Sequence, residues 1–195
     1  MIKLGLTGPM GSGKTYCSKL FEKLGVPIFN SDDVAKKIIN TNLQLRSEII
    51  KEFGNVYDDD GMMIPGLIRS IVFTDGGEER LNILTKLTGV HVMNEYENFC
   101  ELHKDKKYTI AESAILYECG MNKHVDKVIY VCVDEETRIE RTFKRSGFSR
   151  EEYHNRMKNQ ILPQIKIKMC DFIIDNNDGV KVEKRVKEIH KTLLY

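Results

Sequence analysis

The chain has 195 residues and carries 30 Lys and Arg against 29 Asp and Glu, a formal net charge of +1. With 41% hydrophobic and 30% charged residues, its composition is that of a globular protein and excludes a disordered chain. The near-zero net charge argues against a protein that is held on nucleic acid or anionic lipid by bulk charge.

The first predicted elements are an apolar strand over 2–7, a glycine-rich loop, and a helix over 15–24. The loop matches the spacing G-x-x-x-x-G-K-[ST] of a phosphate-binding loop, and it reads Gly8-Pro9-Met10-Gly11-Ser12-Gly13-Lys14-Thr15. In such a loop the backbone N–H groups point at phosphate oxygens and the helix N-terminus adds partial positive charge. Lys14 can reach the β- and γ-phosphates, and the Thr15 hydroxyl is placed to bind Mg²⁺. We therefore expect ATP and Mg²⁺ to bind at these eight residues and the adjoining Tyr16.

A second strand is predicted over 26–29, and the polar run Asn30-Ser31-Asp32-Asp33 follows it. In open α/β sheets, ligands gather outside the carboxyl ends of the strands. A carboxylate there can accept a proton from an acceptor hydroxyl and help to position Mg²⁺, which are the roles expected of Asp32. The alternative is that Asp32 or Asp33 caps the next helix. Both interpretations can hold, because one acid can cap the helix while the other acts in catalysis.

About eighty residues separate the second strand from the third, which is predicted over 108–111, whereas a usual crossover takes about 10–30. Helical patterns fill this interval, over 33–39, 45–53 and 81–102. We interpret it as a helical insertion into the α/β core, placed to cover a second ligand.

The fourth predicted strand, over 128–133, ends at Asp134. An acid in this position imitates the metal-binding acid of a Walker B strand. The favoured interpretation is that Asp134 caps the helix that begins near Glu135, since an acid there satisfies free N–H groups.

The following segment is helical and basic, with helices predicted over 135–145 and 150–161 and seven Lys and Arg against three acids in 138–158. Arg138, Arg141 and Arg145 share one helix face. Guanidinium groups can offset the charge that develops on a transferring phosphoryl group, or they can belong to a solvated face paired with nearby acids. The charge pattern alone favours neither of these two interpretations.

A fifth strand over 172–174 and a last helix over 180–194 complete the pattern. Asn176 and Gly179 follow that strand, where a loop could pass the adenine ring or form a plain turn.

Six segments in order resemble the dephospho-coenzyme A kinases, over nearly the whole chain. They are the loop from Leu6 to Thr15; Asn30-Ser31-Asp32; Asp60-Gly61 with Arg69 and Val72-Phe73; Ile115-Leu116-Tyr117-Glu118; Arg141, Arg145, Arg156-Met157 and Gln160; and Asp171-Phe172-Ile173-Ile174-Asp175-Asn176. The phosphate loop is shared by many families, whereas the ordered set is far more selective. The resemblance places the family's catalytic aspartate at Asp32 and implies that Arg141 and Arg145 belong to a mobile lid.

The chain departs from the family pattern at three places, one in the phosphate loop and two on the acceptor side. Pro9-Met10 replaces Gly-Ile in the loop and removes one N–H donor, Thr88-Gly89 replaces His-Pro, and Glu112-Ser113-Ala114 replaces acid-x-Pro.

The expected fold is an α/β phosphate-loop kinase with a five-stranded parallel sheet flanked by helices, a helical acceptor-binding insertion and a helical lid. The nucleotide-binding core comprises residues 1–40, 108–135 and 166–195, the insertion 41–107 and the lid 136–165.

The expected function is ATP- and Mg²⁺-dependent phosphorylation of the ribose 3′-hydroxyl of dephospho-coenzyme A, as the resemblance implies. Lys14, Asp32, Arg141 and Arg145 are the catalytic candidates, Thr15 and Asp32 the metal ligands, and Asn176 a nucleotide contact. The alternatives are a kinase for a nucleotide or another small metabolite, and an ATP-binding regulator without catalysis.

The expected compartment is the cytoplasm, with no nucleic-acid or membrane partner. The five cysteines are scattered and odd in number, no apolar run is long enough for a membrane span, and the phosphate loop leaves no room for a signal peptide.

Overall fold

The computed structural model describes residues 1–72, 77–158, 160–177 and 181–194, which form two compact units. One unit comprises Met1–Asn30 and Phe99–Tyr195, and the other comprises Ser31–Asn98. Phe73 and Gly179, which entered the sequence analysis, lie outside the described residues.

The first unit is built on a sheet of five parallel strands in the order β2-β3-β1-β4-β5 among the described residues. The strands are β1 (Ile2–Thr7), β2 (Ile28–Asn30), β3 (Tyr108–Glu112), β4 (Lys127–Cys132) and β5 (Phe172–Asp175). β1 is central, and Leu6 is in register with both Glu112 of β3 and Ile129 of β4. The predicted five-stranded parallel sheet is therefore confirmed.

Helices cover this sheet because its strands are apolar on both faces. Those in contact with the strands include α1 (Lys14–Glu22) and α9 (Val182–Leu194). The unit also contains α6 (Glu135–Ser146), α7 (Arg150–Met157) and α8 (Pro163–Lys168), with a 3₁₀ turn over Met121–His124. The buried core joins Leu4 and Ile129 of the sheet to Phe21 of α1 and to Val186 and Ile189 of α9.

The second unit is helical, as expected for an insertion, and contains α2 (Ser31–Thr41), α3 (Leu43–Phe53), α4 (Pro65–Val72) and α5 (Glu78–Leu102), of which α5 ends in the first unit. Asn42 caps α3 by accepting a hydrogen bond from the Leu45 N–H at 2.9 Å. His91 is buried in α5, with Nδ1 3.3 Å from Asn42 Nδ2 and Nε2 3.4 Å from a Glu48 oxygen. The division of the chain into core, insertion and lid by function stays a prediction.

Among the boundaries that differ from the predicted ones, two have local causes, and one short helix was not predicted. β2 begins at Ile28 instead of Val26, because the Val26 N–H turns back to the Phe21 carbonyl and Pro27 has no N–H to donate. α7 ends at Met157 instead of Ile161, ahead of α8, which has Pro163 at its first turn. α4 was not predicted, since its eight residues are too short for a clear periodic signal.

Among the described residues, none of the helices combines the length and the apolar character that a membrane span requires.

Candidate active site

The loop between β1 and α1 requires glycine at Gly8, Gly11 and Gly13, which all have positive φ and no room for a Cβ atom. Gly11 and Gly13 both have positive φ, at 80° and 88°, and Gly13 is the N-cap of α1. A Cβ atom at Gly13 would lie 2.1 Å from Nδ2 of Asn176, and one at Gly11 would lie 2.5 Å from the Arg138 carbonyl oxygen. The loop is thus curled against the residues after β5 on one side and against α6 on the other.

Lys14 is buried, and its ammonium lies inside this loop. Nζ donates to the carbonyl oxygens of Gly8 at 2.9 Å and Pro9 at 3.3 Å. The Pro9 carbonyl also accepts from the Ser12 N–H at 3.1 Å. Pro9 removes one possible phosphate donor, yet its carbonyl closes the turn and helps to hold the lysine.

Thr15 is joined to a carboxylate that the sequence analysis did not select as a site residue. Its Oγ1 donates to Glu112 Oε1 at 2.8 Å, and Ser18 Oγ donates to Glu112 Oε2 at 2.7 Å. Glu112 is only 5% exposed and ends β3 beside β1. The available signal was an apolar strand that ends in an acid, which Tyr108–Glu112 supplies.

The Thr15 and Glu112 oxygens suit Mg²⁺, which prefers hard oxygen ligands. Mg²⁺ usually keeps several waters and binds through one or two protein groups together with substrate phosphates. A site of this type requires no cluster of three ligating side chains, and none is found within the described residues.

The same carboxylate affects the neighbouring thiol. Burial, and then the charge of Glu112, raises the pKa of Cys17 to about 12 despite the opposing effect of Lys14. Cys17 is therefore a neutral core residue at the base of the site.

Three buried hydroxyl groups around the loop lack a hydrogen-bond partner within the described part of the chain; they belong to Thr7, Ser12 and Thr142. Ser12 is in the loop, Thr7 immediately precedes it, and Thr142 Oγ1 would lie 2.9 Å from a Cβ atom at Gly11. An unsatisfied buried hydroxyl costs roughly 1–3 kcal/mol, so tight packing around the loop carries a local cost in stability.

The arginines of α6 separate into different environments. Arg141 Nη2 donates to the Asn176 carbonyl at 3.1 Å, and Asn176 Nδ2 donates in turn to the Ser12 carbonyl at 2.8 Å. Arg138 is buried and donates to the Tyr153 hydroxyl at 2.6 Å, which fastens α6 to α7. Arg145 is exposed and forms no ion pair with other described residues.

Asp134 caps α6, as predicted. Its carboxylate accepts from the Thr137 N–H at 2.8 Å and from the Thr137 hydroxyl at 2.7 Å, and these bonds hold the pKa of Asp134 below its ordinary value. Its own N–H donates to Asn177 Oδ1 at 3.0 Å, so that Asp134 also anchors the loop after β5.

Asp32 and Asp33 both lie in the first turn of α2, which begins directly after β2. Asp33 is exposed and accepts from Lys36 at 3.3 Å. Asn30, two residues before Asp32, is in register with Glu112 at the carboxyl end of the sheet. The catalytic and metal-binding roles of Asp32 stay predictions.

A family model described as dephospho-CoA kinase matches residues 2–182. The chain belongs to the dephospho-CoA kinase family. Relatives in this family include the dephospho-CoA kinase of Aquifex aeolicus, 31% identical over 195 residues, with 99% of this chain and 98% of the relative covered. That of Fusobacterium nucleatum is 31% identical over 192 residues, with 97% of each chain covered.

Solved structures agree with this assignment at the level of the fold. A crystal structure of a Thermus thermophilus protein has a TM-score of 0.85 at 25% identity and covers 100% of this chain and 98% of its own. Dephospho-CoA kinase from Campylobacter jejuni has a TM-score of 0.71 at 23% identity, and the match covers 98% of this chain and 96% of that one. A shikimate kinase from Acinetobacter baumannii has a TM-score of 0.54 at 19% identity, covering 100% and 93%, and shares the fold alone.

Proposed function

We propose that this protein transfers the γ-phosphoryl group of ATP to the ribose 3′-hydroxyl of dephospho-coenzyme A, the last step of coenzyme A synthesis. The observation that carries the proposal is the phosphate loop with Lys14 buried inside it and Thr15 joined to Glu112, in a member of the dephospho-CoA kinase family.

ATP binding is assigned to the loop residues 8–15, with Tyr16 and Asn176 at its edge. Lys14 is already inside the loop, where its ammonium donates to the Gly8 and Pro9 carbonyl oxygens and lies close to the phosphates that the loop would bind. The loop amides and the N-terminus of α1 supply further positive potential for the phosphates.

A bound Mg²⁺ would supply positive charge that offsets the negative charge on the transferring phosphoryl group. Thr15 is the residue that would bind the Mg²⁺ directly, and Glu112 orients the Thr15 hydroxyl by accepting its hydrogen bond. The resemblance to the family adds Asp32 as a second candidate ligand.

Asp32 is proposed to orient the acceptor hydroxyl and accept its proton. Arg141 and Arg145 are proposed to offset charge on the transferring phosphoryl group when the lid closes. Arg141 is the better supported of the two, because it contacts the Asn176 carbonyl beside the loop.

The test is ADP release by the purified protein with ATP and Mg²⁺, with dephospho-coenzyme A compared against AMP, shikimate and no acceptor. We expect release to require dephospho-coenzyme A and to yield a product heavier by one phosphate. Equal release with another acceptor would favour a different metabolite kinase, and release without any acceptor would contradict the proposal.

A further inference from the structure

A cavity of about 730 Å³ opens beside the phosphate loop and is not accounted for by the phosphate chain of ATP. Its walls are Tyr16 of α1, Asn176 and Asn177 after β5, and one face of α9. Since Asn176 donates to the Ser12 carbonyl and Tyr16 directly follows Thr15, the cavity adjoins the end of the loop. When the phosphates of a nucleotide occupy the loop, its nucleoside would extend into this cavity.

The cavity is lined by four lysines, Lys181, Lys184, Lys187 and Lys191, against two acids, Glu183 and Glu188. Lys184, Lys187 and Lys191 have i, i+3, i+7 spacing and so share one face of α9.

One of the two acids is already occupied. Glu188 accepts from Arg185 at 3.3 Å and lies 4.0 Å from Lys184. Lys181, Lys187 and Lys191 form no ion pair within residues 1–72, 77–158, 160–177 and 181–194. With four lysines against two acids the lining carries a net charge of +2, and a bound anion would relieve the repulsion among the lysines.

The triphosphate of ATP does not require these lysines, because the loop amides, Lys14 and the metal ligands already accommodate it. The excess charge lies on the nucleoside side of the loop. Tyr16 is 48% exposed at the same cavity, so its ring is available for contact with a base.

We propose that this cavity binds a phosphate group carried on the sugar of an adenine nucleotide, so that 3′-phosphorylated nucleotides occupy the ATP site in competition with ATP. The product of the proposed reaction is such a nucleotide, because it carries the transferred phosphate on the ribose 3′-oxygen. In naming the product as a ligand the inference rests on the proposed function. Product would then slow its own formation by excluding ATP.

The test is calorimetric titration of the intact protein with adenosine 3′,5′-bisphosphate and with AMP, a pair that differs only in the 3′-phosphate. We expect the wild-type protein to bind the bisphosphate about five- to tenfold more tightly, as expected for two exposed charge pairs. In Lys187→Ala/Lys191→Ala the ratio should fall to about one. The matched control is Lys19→Ala/Lys23→Ala, which removes the same charge from exposed positions of α1 and its C-cap outside the cavity and should keep the wild-type ratio.

Equal binding of the two nucleotides by the wild-type protein would overturn the inference, and so would a preference that survives Lys187→Ala/Lys191→Ala. Bisphosphate that binds alongside saturating ATP would also overturn it, because the inference requires competition. An arm with inorganic phosphate separates the sources of the anion, and phosphate alone binding as tightly as the bisphosphate would remove the role of the sugar.

Failure of the proposed function would show separately in the ADP-release assay. A protein that prefers the bisphosphate but does not phosphorylate dephospho-coenzyme A would retain the site and lose the product as its natural ligand.

Discussion

Asp32 and Asp33 are adjacent carboxylates for which different roles are proposed. Asp32→Asn should lower acceptor-dependent ADP release by about 10²–10⁴-fold, because it removes the proposed proton acceptor, and should leave nucleotide binding in the absence of Mg²⁺ unchanged. Asp33→Asn removes the same charge from an exposed residue paired with Lys36 and should retain activity. Wild-type turnover in Asp32→Asn would remove Asp32 from the mechanism.

Glu112 is expected to act through Thr15. Glu112→Gln removes the charge that accepts both the Thr15 and the Ser18 hydroxyls. We expect ADP binding without metal to be preserved, whereas the tightening of ADP binding by Mg²⁺ should fall about tenfold. Calorimetry of ADP with and without Mg²⁺ measures this effect.

Ser18→Ala is the control for that experiment, because it removes one bond to Glu112 and leaves the Thr15 bond in place. A Mg²⁺ effect in Glu112→Gln equal to that in the wild-type protein would contradict the role given to Glu112.

At the scale of elements, the start of α6 depends on the ionised Asp134. Its pKa is lowered by the bonds from Thr137, so the ionised form stabilises the folded state. This contribution is complete above the ordinary pKa, near 3.8, and is lost as the pH falls through the lower folded value. Asp134→Ala should therefore melt at a lower temperature than the wild-type protein at pH 7, and the difference should disappear in acid.

Thermal melts between pH 3 and pH 7 measure this effect. Glu140→Ala is the control, since Glu140 is exposed on the same helix and pairs with Lys144. A melting difference that persists unchanged at pH 3 would show that the cap does not depend on charge.

A buried ion pair attaches α8 to the segment after β3. Lys166 is 2% exposed, and its Nζ lies 2.7 Å from Glu118 Oε1, which also accepts from the Ile161 N–H at 2.7 Å. Lys166→Met leaves the Glu118 carboxylate unpaired and should lower the free energy of unfolding by about 3–5 kcal/mol in urea denaturation. Lys168→Met, at an exposed position of the same helix, should change it little.

The double variant Lys166→Met/Glu118→Gln should recover part of that loss, because it removes the unpaired charge. A single variant as stable as the wild-type protein would show that the pair contributes nothing.

For the whole molecule, cysteine chemistry is simple because all five cysteines are free. The melting temperature should therefore be the same with and without a thiol reductant. Calorimetric scans of freshly purified protein test this, and a lower melting temperature under reduction would reveal a disulfide.

The parts of the fold that depend on local sequence were the predictable ones. β1, the phosphate loop and the Asp134 cap each carry their signal within about eight residues, and the structure has all three. β2 begins two residues later than predicted because Pro27 has no N–H to donate and the Val26 N–H bonds to the Phe21 carbonyl, which an apolar pattern does not report.

The active site was less predictable where it depends on distant contacts. Glu112 was not predicted as a site residue, because its partner Thr15 is 97 residues away and the pairing of β1 with β3 brings them together. Arg138 and Arg141 have the same charge and helix face, yet one is buried against Tyr153 and the other reaches Asn176. Tertiary packing, not spacing, separates them.

The bond from Asn176 to Ser12 spans 164 residues and has a consequence for biosynthesis. A nascent chain emerges from the ribosome in sequence order, so the phosphate loop is among the first segments made. Asn176, which packs against Gly13 of the loop, is not in place until β5 has emerged and joined the sheet beside β4. A partly translated chain therefore carries the complete loop motif without the pocket geometry, and competence to retain a nucleotide is acquired late in synthesis.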